Sequence, residues 1–164
     1  MLTLGVTGHR PDRLGGYDLK TRRALGGFAV DHLVHARPDR VITGMAIGWD
    51  LAIAAAAVAL DIPFTAAVPF EGQEKRWPAD AQRRYRALLA RAAKIDIVSP
   101  YPGSEAFLER NRWIVDRSDR MSALWDGGTT GGTAACVRYA HSRGVPVENL
   151  WGLWIGDPLA AVLG

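Results

Sequence analysis

Along the chain, short runs of aliphatic and β-branched residues alternate with longer stretches whose apolar positions recur every three to four residues. The runs at 2–7, 40–43, 63–68, 95–98, 121–125 and 147–151 are bounded by turn residues and predict buried strands. Between them, stretches 17–36, 49–60, 78–93, 104–119 and 132–143 predict helices. In the first, Leu25, Phe28, Ala29, Leu33 and Ala36 share a face. The second is apolar on nearly every face, which predicts burial, and its alanines allow close packing against a sheet. The third has a core face of Tyr85, Leu88, Leu89 and Ala92, with Pro78 in its first turn, where a missing N–H costs nothing. Ser104 stands at the cap of the fourth and Gly144 stops the fifth. Residues 152–164 are apolar without a clear period; packing back on the domain and contact with a partner subunit are both open for them.

Regular alternation of strand and helix predicts right-handed βαβ units. The expected fold is α/β, a Rossmann-like three-layer sandwich with a mostly parallel sheet of about six strands and helices on both faces. No linker, repeat or low-complexity segment interrupts the pattern, so residues 1–164 are expected to form one domain.

Composition narrows the function classes. The chain has 164 residues, 48% hydrophobic and 23% charged, enough to bury a core without a disulfide or metal. A lone cysteine, Cys136, forbids an internal disulfide, and His9, His32, His35 and His141 are too scattered for a zinc site, so no metal is expected. No basic segment precedes an apolar one at the N-terminus, and the longest apolar run, 51–60, is too short to span a bilayer. A cytoplasmic location without membrane association is the expectation. The net charge of +3 admits anionic ligands without calling for nucleic acid, and the basic stretch 75–94 reads first as a solvated helix face.

In open α/β sheets, ligands bind beyond the carboxyl ends of the strands. Four segments fall there: 7–11 with Thr7, Gly8, His9 and Arg10; 44–50 with Gly44, Met45, Ala46, Gly48, Trp49 and Asp50; 69–74 beginning Pro69-Phe70; and 126–133. The last is the most informative. After Asp126, four glycines and three threonines lead into a helix, and Gly131, Gly132 and Thr133 would offer a phosphate free N–H groups and a positive dipole end. The spacing fits neither the P-loop nor G-x-G-x-x-G. Asp50 reads either as a helix N-terminal charge or as an acceptor for a ribose or base. Arg10 and Arg110 are candidate phosphate clamps, and His9 reads equally as a loop anchor or a catalytic group. Trp49, Trp77 and Trp113 are expected in the core, with base stacking as the alternative.

Taken together, TGHRP at 7–11, TGMAIGWDLAIAAAAVAL at 43–60, VPFEGQEKRWP at 68–78, FLERNRWIVDRSDRMSALWDG at 107–127 and GGTAACVRYA at 131–140 resemble the YpsA-like branch of the SLOG superfamily, relatives of SMF/DprA and Lonely Guy proteins. The pieces are collinear and span nearly the whole chain. The resemblance implies a nucleotide-binding domain that needs no cofactor, takes a nucleotide-type ligand (AMP, NAD or ADP-ribose-like) and self-associates as a homo-oligomer. Lonely Guy enzymes are phosphoribohydrolases, and by resemblance Arg110-Asn111 and Ser118-Asp119 match their spacing, making Arg110 and Asp119 catalytic candidates. Where that family carries its catalytic Glu, three residues after Thr133, this chain has Cys136. N-glycosidic cleavage needs a carboxylate, so Asp50, Glu71 or Glu74 would have to supply it from another loop. Nucleotide binding and sensing is therefore the leading expectation, with an N-glycosidic hydrolase and a DprA-like DNA-binding protein as alternatives.

Overall fold

The computed structural model describes residues 1–157 and 159. Six strands, β1 (Thr3–Gly8), β2 (Arg40–Thr43), β3 (Phe64–Val68), β4 (Lys94–Ile97), β5 (Arg120–Leu124) and β6 (Val147–Asn149), form one sheet in the order β4-β3-β2-β1-β5-β6. Every pairing is parallel. The chain steps outward from β1 to β4, then crosses back to place β5 on the other side of β1. The strand order reverses between β1 and β5, and a crevice opens there at the carboxyl edge.

Alternation along each strand divides the core. Leu4, Val6, Phe64, Ala66 and Val68 face α1 (Leu19–Ala36), α2 (Trp49–Ala59) and α3 (Ala79–Leu89). Ile42, Ala67 and Met121 face α4 (Ser104–Val115) and α5 (Gly132–Ser142). Asp18 caps α1, its carboxylate accepting from Thr21 N at 3.0 Å. As expected from its all-round apolarity, α2 lies between α1 and α3 with nearly every side chain buried. The architecture is the Rossmann-like three-layer sandwich, with a sheet that is wholly parallel.

The third helix stops at Leu89 rather than at 93, and two further segments depart from the sequence pattern. The sixth strand ends at Asn149, and residues 151–154 form a short helix, α6 (Trp151–Trp154). Asn149 takes over from the ladder: its Nδ2 donates to Trp125 O at 2.9 Å while its Oδ1 accepts from Trp125 N and Trp151 N. Trp154 then packs on Phe28, ring centroids 5.4 Å apart, so this part of the terminal segment folds back on the domain; residues 158 and 160–164 lie outside the described residues. The fourth helix stops at Val115 rather than at 119. Ser118 Oγ donates back to Ile114 O at 2.7 Å, and Asp119 leaves the helix to pair with β1.

Candidate functional site

At the carboxyl edge, beside the β1/β5 crevice, lies a cleft of about 480 Å³. Its walls come from the end of β1 (Thr7, Gly8), the 3-10 turn Pro11–Arg13, the start of α2 (Asp50), the middle of α4 (Arg110, Asn111) and the start of α5 (Gly131, Gly132, Thr133). In a parallel sheet each helix that follows a strand begins at this edge, so the N-termini of α2, α4 and α5 converge here with their positive dipole ends. The first N–H groups of α5 have no intrahelical acceptor, and no side chain caps them.

Arg110 is 5% exposed, unusual for a guanidinium. It is held by Nη1 donating to Gly44 O at 2.6 Å and by Nε donating to Asn111 Oδ1 at 3.0 Å, and its face lies 5.7 Å from the Phe107 ring centroid. This anchoring explains Gly44. A Cβ there would sit 2.5 Å from Arg110 Nη1, so the end of β2 must lack a side chain for the arginine to reach it. Gly48 is constrained differently: at φ +108° it caps α2, and a Cβ would meet His9 O at 2.6 Å.

Asp50 is 6% exposed. Its Oδ2 accepts from Ala46 N at 3.4 Å, while Oδ1 is buried with no hydrogen-bond partner. Burial pushes its pKa up to about 6, against the pull of Arg110 and the Ala46 N–H. Burial likewise pushes Arg110 down, opposed by Asp50. The two buried groups therefore feel one another across the cleft wall, yet Asp50 Oδ1 is left without a hydrogen-bond partner, which costs stability.

His9 is a structural anchor. Its Nε2 lies 3.1 Å from Asp126 N, which donates to it, and 3.0 Å from Asp126 Oδ1, tying the end of β1 to the end of β5. The Asp126 carboxylate accepts from Gly128 N and from Arg13, and the Gly128 N–H above all holds it below the usual range. Arg10 is exposed at the cleft rim, its guanidinium 5.9 Å from the Phe107 centroid.

Of the residues expected from sequence, Thr7, Gly8, His9, Arg10, Ala46, Asp50, Arg110, Asn111, Gly131, Gly132 and Thr133 line the cleft together. Met45 and Trp49 do not. Both are fully buried, Trp49 packing against Gly8, Phe28 and His32 as a core residue. Pro69 is buried, and Phe70 meets Phe107 edge to face at 5.3 Å in a neighbouring lobe. Asp119 stands at the opposite edge of the sheet. Its Oδ2 accepts from Thr3 N at 2.7 Å and its N–H donates to Thr3 O, which pins the start of β1 and removes it from the cleft. Cys136 is 1% exposed beneath Thr7, and burial pushes its thiol up to about 11, so it is no nucleophile. Among the carboxylates weighed as substitutes for the missing Glu, Asp50 lines the cleft and Glu71 and Glu74 do not. Ser104, expected as the cap of the fourth helix, lines it too and is the first helical residue after the N-cap Gly103, and Phe107 lines it without having been singled out from sequence. Phe107 lies three residues before Arg110, one helical turn away on the same face, and that spacing is the signal that marks it.

Among the described residues, no group of three or more His, Cys, Asp or Glu is placed to hold a metal ion, and no helix is long and apolar enough to cross a membrane.

An open parallel sheet with a glycine-walled cleft at its switch point defines a Rossmann-like α/β domain. A family model described as the YspA SLOG family (short name YpsA) matches residues 4–145, and the chain belongs to this family. UPF0398 proteins of Bacillus thuringiensis (strain Al Hakam) and Bacillus cereus (strain Q1) are each 26% identical over 166 residues, covering 91% of this chain and 87% of theirs. Among solved structures, the fold is similar to DNA processing protein A from Helicobacter pylori, described for its single-stranded DNA binding mode, with TM-score 0.62, 17% identity and coverage of 89% of this chain and 63% of that one. DprA from Streptococcus pneumoniae gives TM-score 0.61 at 17% identity over 89% of this chain and 49% of that one. A structural genomics target, TM1055, gives 0.59 at 15% over 90% and 72%. The chain thus spans about half to three-fifths of the DprA chains it matches.

Proposed function

We propose that the cleft binds a nucleotide or nucleotide-derived phosphate ligand, as a binding or sensing module. The phosphate sits on the free N–H groups of Gly131, Gly132 and Thr133, with Arg10 supplying charge from the rim and Arg110 from the wall. Asp50 accepts a ribose hydroxyl. The observation that carries this reading is Asp50: a buried carboxylate with an unpartnered oxygen, lining the same cleft as an uncapped glycine turn and a buried arginine. The test is thermal unfolding against AMP, ADP, ATP, NAD and ADP-ribose, with Gly132→Ala in parallel. A Cβ at Gly132 meets nothing closer than Asn111 Nδ2 at 4.0 Å, so the variant folds. It should lose the stabilisation, because a methyl group occupies the phosphate's place. A ligand at 100 times its dissociation constant adds about 2.7 kcal/mol. No shift with any of the five, or an undiminished shift in Gly132→Ala, removes the assignment.

The pKa of Asp50, about 6, favours one second reading. A carboxyl that exchanges its proton near neutral pH inside a nucleotide cleft can serve N-glycosidic hydrolysis in place of the missing Glu. Free adenine released from AMP, and lost in Asp50→Asn, would establish it. An unchanged AMP pool after prolonged incubation with concentrated protein excludes it.

A further inference from the structure

Beside the phosphate cleft lies a second, larger lobe of about 930 Å³. Arg10, Ser104 and Phe107 line both, so the two are continuous across a shared ridge. The chemistry of the second lobe differs from that of the first. Tyr17, Phe70, Trp77 and Phe107 give it aromatic walls, and Arg10, Lys75 and Arg76 give it positive charge; no carboxylate lines it. Three of these rings are locked by aromatic contacts, Phe70 and Phe107 against each other and Trp77 against Tyr85, each pair edge to face at 5.3 Å. Such rings offer flat faces without an ordering cost. Gln73 is 7% exposed and lines the lobe. Its Nε2 donates to Gly44 O at 3.2 Å, which fixes the amide's orientation and leaves Oε1 buried without a partner. Fixed aromatic faces, cations and one unpaired amide acceptor are what a nucleoside presenting a π-face and an N–H or O–H donor would use.

We infer that the ligand has two nucleoside units joined through phosphate, one in each lobe, with the linkage crossing the ridge beneath Arg10. This rests on the nucleotide reading of the first lobe and adds to it the size and class of the ligand. A pyrophosphate-linked dinucleotide and a phosphodiester-linked one share this chemistry. A continuing single strand does not fit as well: the first lobe has Asp12 and Asp50 in its wall, whereas single-strand tracks are cationic along their length.

The test is calorimetric titration of the full chain with AMP, NAD, the dinucleotide pApA and a deoxyadenylate dodecamer, each also against Lys75→Ala/Arg76→Ala and Tyr17→Ala. All three side chains are exposed, so both variants fold. NAD or pApA should bind at least about tenfold tighter than AMP, as stacking of a second base implies, and that preference should shrink severalfold in both variants. The NAD and pApA arms distinguish the two linkages. Equal affinities for AMP and both dinucleotides would overturn the inference and leave the nucleotide site standing. Absence of binding by AMP and the dinucleotides alike would remove the site itself. Affinity for the dodecamer more than about tenfold above that for pApA would mark a strand-binding track and overturn the two-unit ligand.

Discussion

Replacing Asp50 by Asn tests the energetics of the cleft apart from any ligand. The carboxyl is raised from 3.8 to about 6, chiefly by burial. The folded state therefore holds a proton that the unfolded chain has already released. Stability from this group is fully present below pH 3.8 and is lost as pH rises through about 6. At 1.36 kcal/mol per pH unit, the whole loss is about 3 kcal/mol, and about 1.4 kcal/mol of it falls between pH 5 and pH 8. An amide at position 50 is nearly isosteric and cannot titrate. Urea unfolding of both proteins at pH 5 and pH 8 isolates the effect, because every other titrating group is common to the two. Wild type should lose about 1.4 kcal/mol more than Asp50→Asn across that interval. Parallel pH dependences, or a wild type that gains stability relative to the variant towards pH 8, would refute the reasoning. The second result would mean that Arg110 holds Asp50 as a satisfied ion pair.

Other consequences are as direct. Because a ribose hydroxyl donates more strongly to a carboxylate than to the neutral acid, NAD, whose bridging phosphates stay ionised, should bind more tightly at pH 7.5 than at pH 5; calorimetry should show Asp50→Asn flattening that rise. Asp119→Ala removes the acceptor for Thr3 N and should cost about 1 kcal/mol, a drop in Tm of roughly 2–4 °C, with nucleotide affinity unchanged; a selective loss of affinity would return Asp119 to the site. Cys136, buried and held as a thiol, should resist iodoacetamide at pH 8 until the chain is unfolded in urea. Rapid alkylation of the native protein, followed by mass spectrometry, would contradict that placement.

Much of this arrangement is legible in the sequence because strand and helix alternate with little ambiguity, and a parallel sheet must put the strand-to-helix turns on one edge. That is why the loops at 7–11, 44–50 and 126–133 could be assembled before any contact was known. The departures arise where a side chain overrides the local pattern. The strand expected over 147–151 has apolar Leu150 and Trp151 past Asn149, yet the Asn149 amide satisfies Trp125 and ends the strand. Asp119 follows Ser118 as the resemblance to Lonely Guy enzymes requires, but the carboxyl end of α4 lies at the far edge of the sheet. Arg110 and Asn111, in mid-helix, reach the cleft because helical side chains lean towards the helix N-terminus. Trp49 turns into the core, the first of the two readings its sequence position allowed, whereas Met45 in the same site loop also turns inward, which its neighbours in sequence do not reveal. The lobe built on Tyr17, Phe70, Gln73 and Phe107 draws on three separate segments, and only the fold brings them together.

A phosphate seated on the uncapped start of α5 would be felt first by the amides there. Titration of the ¹⁵N-labelled chain with AMP, followed by amide proton–nitrogen correlation spectra, tests it most directly. The amides of Gly131, Gly132 and Thr133 should shift most and move downfield, as N–H groups do when they begin donating to a phosphate oxygen. Shifts confined to other segments, or a spectrum unchanged at millimolar AMP, would contradict it.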